Sequence, residues 1–177
     1  MKSVILLLLT LTAALSQPAL AEKAIDFQFT DVSGKSLHLS DYRGKWVLVN
    51  FSAPWCPLCR AEVPMLNGLD TRNDVVVIGI SLDYGPEASV VKVSTKNHDL
   101  NVTAIIAGGS RRDPHSAFRQ VGPVDFYPTS YLYDPNGEIA MFIPGSLKQD
   151  KLLAYMQKWK QTRADSGKKT SLQASAK

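Results

Sequence analysis

The stretch Trp46-Val47-Leu48-Val49-Asn50-Phe51-Ser52-Ala53-Pro54-Trp55-Cys56-Pro57-Leu58-Cys59-Arg60-Ala61-Glu62-Val63-Pro64 decides the fold. From Trp46 to Phe51 it is an apolar run without alternation, the pattern of a strand buried on both faces. A helix reads from Pro57 onward, with Pro57 in the first turn, where its missing N–H is not needed. Pro64 falls further inside and predicts a kink. The two cysteines, the only ones in the chain, therefore lie where a buried strand ends and a helix begins.

The neighbouring segments supply the rest of a sheet. Upstream, Asp26 to Leu39 alternates around Asp31-Val32-Ser33-Gly34-Lys35, which predicts a hairpin with Phe27, Phe29, Leu37 and Leu39 facing inward. Ser40 to Gly44 reads as one capped turn. Downstream, Val75 to Ser81 and Val102 to Ala107 are further strands, separated by a turn at Gly85-Pro86 and a helix to about Asn97. A helix from about Pro114 to Gln120 follows. Asp134-Pro135-Asn136-Gly137 then joins two antiparallel strands. Ser146 with Gln149 forms a capping box, opening a helix whose stripe Leu152, Leu153, Met156 and Trp159 packs on the sheet. This order predicts an α/β fold: a mixed central sheet with helices on both faces, an N-terminal hairpin extension and a terminal antiparallel hairpin.

Composition limits the function. A chain of 177 residues, 45% hydrophobic and 20% charged, suits one domain with a real core. Lys2 and the tail 162–177 hold five of the 20 basic residues and one of the 16 acidic ones, so residues 22–161 carry 15 of each. A neutral domain lacks the excess charge that nucleic-acid binding requires. Met1-Lys2-Ser3, the apolar run Val4–Leu15 and Ala19-Leu20-Ala21 read as a secretory signal over 1–21, cleaved near Ala21 and leading to a periplasmic or otherwise exported protein. An uncleaved membrane anchor is the alternative. The domain spans 22–161, and the Ser/Lys/Ala/Gln-rich end 162–177 reads as a disordered basic tail.

Two cysteines three positions apart admit a structural staple, a metal clip or a reversible redox pair. So short a loop removes little entropy from the unfolded chain, which argues against a staple. At a strand-to-helix junction, free backbone N–H groups and the helix dipole stabilise a thiolate at Cys56. Cys59, one turn later, is placed to resolve a mixed disulfide and is expected to be the more buried of the two.

These features together resemble the thioredoxin superfamily, and within it the exported thiol:disulfide oxidoreductases of the ResA/TlpA type and the related cytochrome c maturation thioredoxins. The resemblance covers nearly all of residues 25–160. It rests on Trp55-Cys56-Pro57-Leu58-Cys59, Pro64, Tyr127-Pro128-Thr129 and Asp134-Pro135-Asn136-Gly137-Glu138. Phe27-Gln28-Phe29-Thr30 with Leu39-Ser40-Asp41-Tyr42-Arg43-Gly44-Lys45 is similar to that subgroup's N-terminal extension. The resemblance implies a cis Pro128 facing the sulfurs, a Tyr127 backbone exposed to substrate peptides, and substrate contacts from Trp55, Pro57 and Leu58. It also implies a monomer that exchanges disulfides with exported proteins, most simply as a reductase fed by a membrane electron donor, with the Cys56–Cys59 disulfide in place of any cofactor.

Two departures bear on mechanism. Thioredoxins proper carry a buried Asp where this chain has Asn50, and Asn cannot take up a proton; Glu62 is then the candidate base for Cys59, matching a Glu of the ResA-type reductases. The stretch Gly122-Pro123-Val124-Asp125-Phe126-Tyr127 lacks the pattern of the dedicated cytochrome c maturation branch. Other functions remain as alternatives. An oxidant or isomerase shares the fold, and a copper-binding metallochaperone would use two soft thiolates, although copper carriers of this fold space their cysteines one residue wider. A peroxidase needs Pro-x-x-x-Thr-x-x-Cys, and Val49 and Ala53 occupy those places. His38, His98 and His115 show no ligand spacing and read as surface or structural residues, while Arg111-Arg112 reads as a charged loop.

Overall fold

The computed structural model describes residues 26–83 and 87–174. The expected signal over 1–21 and the turn at Gly85-Pro86 lie outside the described residues. The chain opens with strands β1 (Gln28–Thr30) and β2 (Ser36–His38), paired antiparallel around the Asp31–Lys35 turn. It continues through a 3-10 turn, Leu39–Tyr42, into β3 (Trp46–Ser52), α1 (Pro57–Asp70), β4 (Val75–Leu82), α2 (Ala88–Asn97) and β5 (Ala104–Gly109). A second 3-10 turn, Ala117–Gln120, precedes β6 (Thr129–Tyr133), β7 (Ile139–Pro144) and α3 (Gln149–Ala174).

The main sheet has the order β5-β4-β3-β6-β7. Strands β3, β4 and β5 are parallel, and β6 and β7 run antiparallel to their neighbours. The apolar run Trp46–Phe51 became the central strand because both of its faces are covered. Val47, Val49 and Phe51 join one cluster with Phe27, Phe29, Leu37, Leu39 and Phe118, beneath the hairpin and the 3-10 turns. Trp46 and Leu48 join the other, with Leu66 and Leu69 of α1 and Leu152 and Met156 of α3. Each fully buried Phe or Leu contributes about 1.5–3 kcal/mol. Asn50 shares the face of Trp46 and Leu48, so its polar side chain is buried under α1.

Several expectations were corrected by local chemistry. The helix expected from Pro114 is only the 3-10 turn Ala117–Gln120, because the Asp113 carboxylate accepts the His115 N–H at 2.8 Å and holds the segment in a turn. The last helix begins at Gln149, with its first turn closed by Leu152 N–H to Lys148 O, 3.0 Å, rather than from a Ser146 cap. It then carries through the stretch from 162 expected to be disordered and ends at Ala174. No proline interrupts 149–174, good helix formers dominate there, and Arg163 lies over the Trp159 ring at 4.6 Å, one turn away. α1 continues unbroken past Pro64 to Asp70. Among the described residues no helix is long and apolar enough to cross a membrane.

The segment that carries Pro128 to the site is fixed by Tyr131. Its hydroxyl donates to Pro123 O at 2.7 Å. A Cβ on Gly122, at φ +155°, would stand 2.5 Å from the Tyr131 hydroxyl oxygen, so the chain passes there only as glycine.

Candidate active site

Cys56 is the last extended residue before α1, and Pro57 is the first helical one. The loop after β3 thus delivers a sulfur to the helix N-terminus, where backbone N–H groups lack partners in the helix. One of them is used: Cys59 N–H donates to Cys56 Sγ at 3.1 Å. The two cysteines are joined in a disulfide with Cα atoms 5.3 Å apart. Both are buried, Cys56 at 3% exposure and Cys59 at 5%. The expectation that Cys59 would be the deeper of the pair is therefore not met: both belong to one buried cluster with Ala53, against which Tyr127 packs.

Around this buried pair the surface is apolar and open. Trp55 is 61% exposed and Leu58 57%, and Phe126, next to Tyr127, is 64% exposed. Trp55 meets the Tyr127 ring edge to face at 5.2 Å between centroids. The Tyr127–Pro128 peptide bond is cis. Pro128 O accepts the Gly145 N–H at 2.8 Å, which ties the start of β6 to the end of β7.

Below the disulfide lies a buried polar group. Glu62 is one helical turn beyond Cys59, on the same side of α1. Its Oε1 accepts the Leu147 N–H at 2.6 Å, and its Oε2 accepts the Asn50 side-chain amide at 3.3 Å. Asn50 also donates to Ser130 Oγ at 3.0 Å, across the β3–β6 pair. Burial pushes the pKa of Glu62 above the ordinary carboxylate value, opposed by these two hydrogen bonds and by nearby Lys148. Asn50 and Cys59 also border a small cavity, shared with Ser52, Thr95 and His98.

The structure thus brings Tyr127 against the buried Cys56 and Cys59, with Trp55, Pro57 and Leu58 exposed beside them, Pro128 next to Tyr127 in the chain, and Glu62 one turn along α1. It adds residues the sequence did not mark. His98, read as a surface or structural histidine, lies half-buried beside the Cys59 cavity. Asp83 and Arg111 reach the Tyr127 side chain from two different loops. Pairings between loops so distant in the chain leave no local pattern, whereas Cys-x-x-Cys does. Among the described residues, no group of three or more His, Cys, Asp and Glu side chains could hold a metal ion.

Comparison with known proteins agrees with this geometry. The AhpC/TSA family model matches residues 20–142. The chain is 33% identical over 140 residues to the thiol-disulfide oxidoreductase ResA of Bacillus cereus, covering 78% of each chain. It is 32% identical over 142 residues to the protein of the same name from Geobacillus kaustophilus, covering 78% of this chain and 77% of that one. Among solved structures, a putative thioredoxin from Neisseria meningitidis superposes with a TM-score of 0.63 at 26% identity, over 80% of this chain and 92% of that one. A putative thiol:disulfide interchange protein DsbE from Chlorobium tepidum gives 0.58 at 27% identity, over 75% and 94%. A buried Cys-x-x-Cys disulfide on this fold and these relatives make the chain a thiol-disulfide oxidoreductase, and it belongs to the AhpC/TSA family of the thioredoxin superfamily.

Proposed function

We propose that the protein is exported and reduces disulfides in other exported proteins, with Cys56 as the attacking thiolate and Cys59 as the resolving thiol. The observation that carries this reading is the place of Cys56 at the N-terminus of α1, where Cys59 N–H already points at its sulfur. In the reduced protein the Cys56 thiolate attacks one sulfur of a client disulfide. That S–S bond breaks, and the other client sulfur departs as a thiolate and takes a proton. Cys59 then gives up its proton and attacks Cys56 Sγ. The mixed disulfide breaks, the second client sulfur leaves reduced, and the Cys56–Cys59 disulfide remains with two electrons transferred. A dithiol donor, proposed to be a membrane protein, must restore the pair.

Glu62 is the proposed acceptor of the Cys59 proton. Its support is burial, a raised proton affinity and its place one turn from Cys59. The same carboxylate favours the reducing direction. A buried group that becomes negative beside the pair opposes accumulation of a thiolate, and a strong oxidant owes its potential to a stabilised reduced form. Trp55, Leu58 and Tyr127 are proposed to receive the apolar chain around a client disulfide, with Pro57 shaping the loop and Pro128 presenting a residue without an N–H to the sulfurs.

The reduction potential of the Cys56–Cys59 couple, measured in glutathione buffers, tests the direction. A value toward that of thioredoxin, about −270 mV, is expected. A value near about −120 mV, the strong-oxidant end, would overturn the reductase reading.

A further inference from the structure

Asp83 does not touch the disulfide, yet it is joined to it through one side chain. It is the residue directly after β4 and has a left-handed backbone, φ +61°. This conformation costs a non-glycine residue about 1 kcal/mol or more, and Asp is among the few that adopt it routinely. Three contacts hold it there. Its N–H donates to Gly109 O at 2.7 Å, its Oδ1 accepts the Arg111 N–H at 3.0 Å, and its Oδ2 accepts the Tyr127 hydroxyl at 3.1 Å. Both carboxylate oxygens are therefore occupied by groups from different loops.

Tyr127 is gripped from the other side as well. The Arg111 guanidinium lies over its ring at 5.3 Å and donates to Asp125 O at 2.7 Å, two residues before it. The ring itself packs on Ala53, Cys56 and Cys59 and meets Trp55. The loops at 83, 109–111 and 125–127 are thus tied to one another around Tyr127, the residue among them that packs on the disulfide cluster. Without its acceptor the half-buried ring would be held by packing alone, and its two rotatable bonds would be less restrained.

We propose that Asp83 is a positioning residue for thiol–disulfide exchange: by anchoring the Tyr127 hydroxyl it sets the ring and backbone of Tyr127 against the Cys56–Cys59 pair and so fixes the surface on which a protein substrate docks. The inference rests on the reading of Tyr127 as a substrate contact. Its effect belongs to docking rather than to chemistry at sulfur, because the anchor lies beyond the ring from the cysteines. Arg111 steadies the same segment through its cation–π contact and its bond to Asp125 O.

The test measures kcat and KM for reduction of a synthetic peptide containing one intramolecular disulfide, with dithiothreitol as electron donor. Tyr127→Phe removes one oxygen and leaves the packing, so it stays informative where Asp83→Ala disturbs folding. Asp83→Ala and Tyr127→Phe are each expected to raise KM about fivefold, the loss of one hydrogen bond, with a smaller change in kcat. The double variant should be no worse than either single one, as for two ends of one contact. Asp83→Asn, which tolerates the left-handed backbone and keeps a polar partner for the phenol, should recover most of the loss. Multiplying effects in the double variant would overturn the proposal. So would an unchanged KM in Tyr127→Phe and Asp83→Ala while Tyr127→Ala raises it. An unchanged KM in Tyr127→Ala would remove the substrate-contact reading itself, and the inference with it.

Discussion

The Asn50 amide donates to the buried carboxylate of Glu62 at 3.3 Å, joining the strand that leads to Cys56 with the helix that follows it. The same amide holds Ser130 Oγ, so one neutral side chain links β3, α1 and β6 beneath the disulfide. A neutral donor is what this position requires, because Glu62 already supplies the negative charge.

Asn50→Asp would set a second carboxylate against Glu62. Two such groups in contact share one proton, and the pair titrates as a unit with one value pushed strongly upward. The variant should therefore lose more stability than the wild type between about pH 5 and pH 8, by about 1–3 kcal/mol, one pKa unit being 1.36 kcal/mol. Urea unfolding of the oxidised proteins at the two pH values measures this. The same pH dependence in both proteins would mean that the Asn50–Glu62 contact carries no electrostatic weight.

Glu62→Gln should act in the opposite direction. Burial raises the folded-state pKa of Glu62, so between the unfolded value, about 4.3, and the folded one the native state holds a proton that the unfolded chain has released. Stability contributed by the protonated form is complete below the unfolded value and is lost as pH rises through the folded one. Relative to the wild type, Glu62→Gln should therefore gain stability as pH rises from about 4. If Glu62 accepts the Cys59 proton, the pH profile of Cys59 alkylation in reduced protein must also change. An unchanged profile removes Glu62 from the mechanism.

Trp55→Ala and Leu58→Ser probe the open apolar surface. Both side chains are more than half exposed, so the cost in stability should be small, within about 0.5 kcal/mol for Leu58 and somewhat more for Trp55, which loses its ring contact with Tyr127. The kcat/KM for a peptide disulfide should fall several-fold in each. Equal rates in wild type and both variants would mean that clients dock elsewhere.

Much of this fold was legible in the sequence because its elements follow local rules. Trp46–Phe51 and Val75–Ser81 lack alternation and are buried on both sides, and Phe27, Phe29, Leu37 and Leu39 alternate and face the core. The Asp134–Gly137 turn was legible for the same reason: Asp134 Oδ1 accepts the N–H groups of Asn136 and Glu138, a bond pattern written into five neighbouring residues. At the candidate site the sequence marked Cys-x-x-Cys with its neighbours, Glu62 and Tyr127-Pro128, but not what each of them meets. The partners of Glu62, which are Asn50 and the Leu147 N–H, come from residues 12 and 85 positions away. The Asp83–Tyr127 bond spans 44. Such contacts follow from the order of strands in the sheet, and no local pattern announces them. The last helix shows the converse error, where a polar composition suggested disorder but helix propensity and the absence of proline prevailed.

The assignment of Cys56 as the attacking sulfur is tested most directly by trapping. Cys59→Ala and Cys56→Ala proteins, each reduced, are incubated with a disulfide-containing peptide and resolved by mass spectrometry without reductant. A covalent adduct on Cys56 is expected in Cys59→Ala, released by dithiothreitol, with little or none in Cys56→Ala. An adduct formed mainly on Cys59, or equal adducts in the two variants, would contradict that assignment.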